Sequence, residues 1–301
     1  MLTGVLAGLA AGALWGLVFV VPLMVPGLSA VDVTAARFIS FGAISALAML
    51  LVGKSVKLPK RHQALTALGM SVLGYTGYYL LLAMAIIDAG SEVPTLIIGI
   101  IPIWMMIWGK PHALRWSALL PGMVLSLAGL ALMTHASWQT MDVADVVRGD
   151  AHFWRGLGLA TLAMVSWTVF GLVNSAWLKK HPEVSASTWA NWLGIATGIG
   201  ALILWVALGT PVEDLLALDN KAWLAFVCIA TGICSAWLST ILWNIASQRL
   251  SASLCGQLIV SETIFALVYA FLWHQSWPSG IQLAACALFI AGILASIRAH
   301  H

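Results

Sequence analysis

The chain has 301 residues, of which 61% are hydrophobic and 8% charged, with a formal net charge of +3. A soluble domain carries roughly 25% charged residues, so the composition excludes one and defines a membrane protein with no expected nucleic-acid partner. Apolar runs of about 20 residues match a hydrocarbon core of roughly 30 Å, and helices are expected because each backbone amide must find its partner within the span.

Cutting the chain at its polar and turn-rich breaks predicts ten spans. The first, near 3 to 22, has no basic segment before Thr3 and no small-residue cleavage stretch after it, so it reads as a span rather than a signal peptide. Gly4, Gly8, Gly12 and Gly16 put a row of small residues on one face, which lets a neighbouring helix approach closely. Trp15 and Phe19 form an aromatic edge beside that row. The second span, near 31 to 52, carries Arg37. The third, near 63 to 88, carries Tyr75, Tyr78 and Tyr79 near its middle. In the fourth, near 92 to 109, Pro102 cannot donate to the carbonyl of Ile98, so a kink and a free acceptor are expected. The fifth span lies near 115 to 134.

The longest hydrophilic segment follows, and it divides the chain into a first five-helix repeat at 1–138, an extracytoplasmic linker at 139–151 and a second repeat at 152–301. Five is odd, so two like-folded halves would be inserted in opposite senses. The sixth span, near 154 to 178, holds Trp167 and Asn174, and the seventh lies near 185 to 207. The eighth, near 222 to 246, holds Trp237 and Asn244. The ninth, near 252 to 273, holds Gln257, Ser261 and Glu262, and the tenth lies near 278 to 297.

Lys54, Lys57, Lys60, Arg61, Lys110, Arg115, Lys179, Lys180, Arg249 and Arg298 fall on one side of this scheme, against Arg148, Arg155 and Lys221 on the other. The positive-inside rule makes the first side cytoplasmic and places both termini there. Trp108, Trp116, Trp154, Trp177, Trp223, Trp273 and Trp277 lie near span ends and read as an interfacial belt. Trp15, Trp167, Trp237 and the three tyrosines are midspan, where a buried indole N–H or phenol needs a partner, which suits either helix packing or a substrate cavity.

"GALWG" in the first span, "TAARF" with Arg37 in the second and "IIPIW" with Pro102 in the fourth carry a resemblance, continued by "VSETIFALVYAFLW" in the ninth and "WPSGIQLAACALFIAGI" in the tenth. In their order and spacing these motifs resemble the EamA-type carriers of the drug/metabolite transporter superfamily, most closely the YddG-type aromatic amino-acid exporters. The resemblance implies an all-α inner-membrane protein of ten transmembrane helices in two inverted repeats, exporting small amphipathic metabolites. Those carriers usually have proline directly after the span-nine glutamate. Here that position is Thr263, which leaves a break of the helix backbone there in question.

The chain has no phosphate-binding GxxxxGK[ST] loop, no HExxH and no GxSxG, so neither an ATP motor nor an enzyme is indicated and no cofactor or metal is expected. Its four cysteines form no C-x-x-C pair. The alternatives are a broad drug or metabolite exporter and, in another class, a membrane-embedded enzyme or scaffold. The substrate-facing set is Trp15, Phe19, Tyr75, Tyr78, Tyr79, Ile98, Pro102, Trp167, Asn174, Trp237, Asn244, Gln257, Ser261 and Glu262. Glu262 lies about 16 Å into its span, so it must face the bundle interior. Three roles are open to it: a ligand for a substrate amine, a coupling-proton carrier, or a structural ion pair with Arg37.

Overall fold

The computed structural model describes residues 1–52, 58–89, 92–138, 151–275 and 277–300. The expected linker between the halves, with Arg148 and its acidic neighbours, lies outside the described residues, as do Lys54 and Lys57. Every regular element among the described residues is helical. They are α1 (Leu2–Gly16), α2 (Val21–Met24), α3 (Ala30–Val52), α4 (Arg61–Ser71), α5 (Gly77–Ala89), α6 (Glu92–Ile98), α7 (Ile101–Trp108) and α8 (Trp116–Trp138). The chain continues with α9 (Ala151–Lys180), α10 (Ala186–Leu208), α11 (Val212–Ala217), α12 (Lys221–Thr231), α13 (Ser239–Arg249), α14 (Ala252–His274) and α15 (Gly280–Ala299).

Among the described residues, 9 helical runs are long and apolar enough to cross a membrane. The fourth expected span is the exception: it folds as α6 and α7, with Pro94–Trp108 forming a shorter apolar stretch. The interruption lies at Gly99 and Ile100, and Pro102 sits in the first turn of α7. A proline there loses nothing, because the first N–H groups of a helix have no intrahelical acceptor. The chain closes the break with tight turns, the Ile100 N–H donating to the Ile97 carbonyl at 3.2 Å.

Two other runs carry an irregularity that the sequence did not announce. α4 and α5 form one 29-residue run interrupted by a π turn at Val72–Thr76, and α12 and α13 form another interrupted at Gly232–Leu238. α14 runs unbroken through Thr263, which supplies the amide that a proline would lack. Its start is set by Ser251, whose Oγ accepts the Leu254 N–H at 3.1 Å, and α15 begins with the same device at Ser279.

Small residues decide which helices touch. A Cβ on Gly42 of α3 would lie 2.8 Å from the Cα of Gly198 in α10, so these backbones meet without intervening side chains. α3 with α10, and α8 with α15, are the most extensively packed pairs. α1 lies against α13 and α14, while α9 lies against α5, α6 and α7. The expected glycine row of α1 faces α14, where a Cβ on Gly16 would fall 2.9 Å from the Ala266 amide nitrogen.

Tryptophans at the helix ends are mostly exposed, including Trp108, Trp116, Trp154, Trp223, Trp273 and Trp277. Trp177 departs from the expected belt. It is buried and stacks on Trp189 at a centroid distance of 3.7 Å, with His181 on it at 4.2 Å. Its helix runs to Lys180, and α10 folds back over it, so the apparent span end is part of the core.

Candidate functional site

α1, α5, α9, α13 and α14 carry most of the expected site residues. Because α1 meets α14 through glycine, its backbone lies against the peptide of Glu262 itself. A Cβ on Gly12 would lie 3.2 Å from the Glu262 nitrogen, and one on Gly16 would lie 3.1 Å from the Glu262 carbonyl oxygen. This seam fixes where the glutamate stands. Its side chain is half-buried and has no hydrogen-bond or ion-pair partner among the described residues. Tyr78, a buried residue of α5, is within electrostatic reach of both Glu262 and Tyr79. The Tyr78 and Tyr79 rings meet edge to face at 5.0 Å, and Tyr79 meets Phe38 in the same way at 5.0 Å.

Three tryptophans from three helices form a second aromatic cluster in the core that α14 shares. Trp15 lies 6.1 Å from Trp167 and 5.3 Å from Trp243, and Trp167 lies 6.0 Å from Trp243. Trp15 and Trp167, both expected at the site, are thus in contact, and Trp243 completes the cluster. Trp243 is buried and its indole N–H has no partner among the described residues. It was not singled out from the sequence, and no spacing along the chain marks it as a partner of Trp15. The helix runs on to Arg249.

Other expected site residues are engaged elsewhere. Tyr75 shares a hydrogen bond of 2.7 Å with Thr240 and is enclosed by Phe38, Phe41 and Phe170. Asn174 accepts from the Trp189 indole at 2.7 Å and donates to Asn244 at 3.1 Å, while Asn244 donates to the Ala186 carbonyl at 3.2 Å. Both asparagines are fully buried, so they tie α9, α10 and α13 together rather than face open space. Gln257 donates to Ser126 and accepts from Ser296, joining α14 to α8 and α15. Ser261 returns its hydroxyl to the Leu258 carbonyl and lies under Gly12.

Trp237 donates to Asn191 at 2.8 Å and packs outside the Trp15 cluster. Phe19, in a 3₁₀ turn after α1, is exposed and stays outside the ring clusters. Ile98 packs against the same buried core as Trp15 and Trp167, and the Pro102 carbonyl faces Gly256 of α14.

The ion pair expected between Arg37 and Glu262 is absent. The ion pairs of Asp88 with Arg155 and His152 involve neither residue. Arg37 lies instead between α3 and the second π turn, where its backbone carbonyl abuts Gly232. Among the described residues no group of three or more His, Cys, Asp or Glu comes together as metal ligands.

An unpaired carboxylate within reach of Tyr78 can hold an ammonium group or a proton, and indole rings such as those of Trp15 and Trp167 can stack an apolar ring. Comparison with known proteins supplies the class. The family model for EamA-like transporters matches residues 154–298. The inner membrane protein YtfF of Escherichia coli (strain K12) is 32% identical over 99% of this chain and 96% of its own. A solved crystal structure of another protein, 20% identical, shares the fold with a TM-score of 0.77 over 98% of both chains. The molecule is a multi-pass transporter of the inner membrane. It belongs to the EamA-like transporter family.

Proposed function

We propose that this transporter exports aromatic amino acids, working by alternating access between halves at 1–138 and 152–301 joined by 139–151, with both termini cytoplasmic. The observation that carries the substrate class is the unpartnered Glu262, within electrostatic reach of Tyr78 and set on the helix that α1 meets beside Trp15. A carboxylate in the bilayer interior is costly unless it has an occupant, and an ammonium beside an aromatic ring provides one.

Inverted repeats are supported by the packing. Exchanging each helix for its counterpart in the other half turns α1 against α13 and α14 into α9 against α5, α6 and α7, and pairs α3 with α10 and α8 with α15. The π turns agree with that exchange: Val72 follows Arg61 by eleven residues, and Gly232 follows Lys221 by eleven. Binding between such halves at the midplane is the usual arrangement for a secondary carrier.

The test is exchange of labelled tryptophan or phenylalanine across vesicles containing the purified chain. Movement without chemical change supports the reading. Transport restricted to non-aromatic drugs or metabolites overturns the substrate class, and product formation overturns the carrier. Reporter fusions between α3 and α4 and at the C-terminus test the orientation, and both are expected to report cytoplasm.

A further inference from the structure

Gly4 of α1 and Gly156 of α9 make matching contacts. A Cβ on Gly4 would meet Leu250 and Arg249 at the end of α13, and one on Gly156 would meet Ala89 and Asp88 at the end of α5. Each glycine precedes a clustered tryptophan, Trp15 or Trp167, by the same eleven residues. These matches set α1 and α2 in register with α9, and α5 in register with α13. Leu23 of α2 then corresponds to Ser175, each eight residues after its tryptophan. Ile86 of α5 corresponds to Ser247, each two residues before the residue that meets the glycine.

The two corresponding pairs are in opposite conditions. The Ser175 hydroxyl donates to the Ser247 carbonyl at 3.4 Å and Asn174 donates to Asn244 at 3.1 Å, so α9 is sealed along α13 by four buried residues. Leu23 and Ile86 are both exposed, and α1 and α2 have no comparable packing along α5 among the described residues. Val21 and Val25 anchor α2 on Leu224 and Val227 of α12, and the Trp223 indole donates to the Met24 carbonyl at 2.9 Å, which leaves Leu23 uncovered. Ile86 follows Tyr79 by seven residues, a spacing that returns to the same helix face. Tyr79 meets Phe38 and Tyr78, so Ile86 continues the interior face of α5 toward the outer end.

We propose that Leu23 and Ile86 form the outer gate of the transporter, closing on each other in the opposite state of the transport cycle as the contact of Ser175 with Ser247 releases. The proposal rests on the inverted-repeat reading above and deepens it: one motion exchanges the conditions of the two pairs. The seals differ in chemistry, hydrogen-bonded at the inner end and aliphatic at the outer.

The test uses the full chain in phosphatidylcholine vesicles with the pair Leu23→Cys and Ile86→Cys. A disulfide needs Cα atoms within about 7 Å, so its formation reports the approach directly. The pair is expected to crosslink under oxidation, to lose exchange of labelled phenylalanine to the level of protein-free vesicles, and to regain it with dithiothreitol. Leu23→Cys with Ile87→Cys, turned off that face, is the control and is expected not to crosslink. The native Cys255, free, buried and within reach of Ser247, reports the inner seal. Its alkylation by N-ethylmaleimide is expected to quicken once the outer pair is crosslinked.

A pair that crosslinks no faster than the control overturns the proposal. So does a crosslink that leaves both exchange and Cys255 alkylation unchanged. If the cysteine pair does not fold, Leu23→Asp with Ile86→Asp is expected to slow Cys255 alkylation relative to Leu23→Asp with Ile86→Lys, and equal rates refute the gate. Wild type that exchanges no phenylalanine, together with a crosslink that quickens Cys255 alkylation, would leave the gate standing and remove the amino-acid reading.

Discussion

Tyr75 and Thr240 share a hydrogen bond of 2.7 Å that joins the π turn of one membrane run to the helix directly after the π turn of another. Both residues are buried, with Phe38, Phe41 and Phe170 packed around the phenol. The two irregular turns are therefore braced against each other through side chains rather than left to adjust separately.

Removing one hydroxyl of that pair leaves the other enclosed. Tyr75→Phe is expected to lower stability in detergent by about 1 kcal/mol. Thr240→Val is expected to do the same, and the double variant to cost less than the sum of the singles. Thermal unfolding of the four proteins measures the coupling, and strictly additive losses would show that the contact is incidental.

The glycine seam between α1 and α14 makes a steric prediction with an internal control. A Cβ on Gly16 would lie 2.9 Å from the Ala266 nitrogen, whereas one on Gly158 in α9 meets nothing within 4 Å. Gly16→Ala is expected to destabilise by about 1–3 kcal/mol through overpacking. Gly158→Ala is expected to be neutral or mildly stabilising, since alanine is the better helix former. Equal behaviour of the two would contradict the close approach.

Because Glu262 and Arg37 do not neutralise one another, neutralising one does not strand the other. Glu262→Gln is expected to keep its fold and bind phenethylamine more weakly. The stability effects of Glu262→Gln and Arg37→Gln are expected to add within about 0.5 kcal/mol. A marked rescue in the double variant would restore the ion pair that the structure lacks.

Arg155 holds Asp88 in a forked contact, Nε to one carboxylate oxygen at 2.6 Å and a terminal nitrogen to the other at 2.7 Å. The contact clamps the end of α5 to the first turns of α9, beside Gly156, which lets the two backbones close up. Asp88→Arg and Arg155→Asp are each expected to change the exchange rate, and the charge-swapped double variant to recover most of it. Arg155 is largely exposed, so the effect should shrink as salt is raised. A rate indifferent to both charges would remove the clamp from the transport cycle.

The membrane runs were legible in the sequence because hydrocarbon thickness sets a length that apolar runs must meet, and most expected ends fall close to the observed ones. Polar residues inside those runs were equally legible as interior residues, but their partners were not. Asn174 and Asn244 satisfy each other, and no count of residues along the chain reveals which interior group lies opposite which. The π turns left no composition signal, since an extra residue in a turn is held by neighbouring helices. The break near Pro102 was expected at the proline and occurs before it, at Gly99 and Ile100, where the carbonyls that lose their donor can be turned aside. Trp177 was misjudged because α10 folds back over the end of its helix, so distance from the end of an apolar run says little about depth.

The packing of α1 against α13 and α14 also bears on what moves with what. α1 comes from the beginning of the chain, yet its backbone lies against the peptide that carries Glu262, so it cannot shift without taking the glutamate along. α9, in turn, is held by α5, α6 and α7. A rocking motion that preserves these seams would carry helices of both sequence halves together and would have to slide α7 along α14 and α9 along α13, which also pack together.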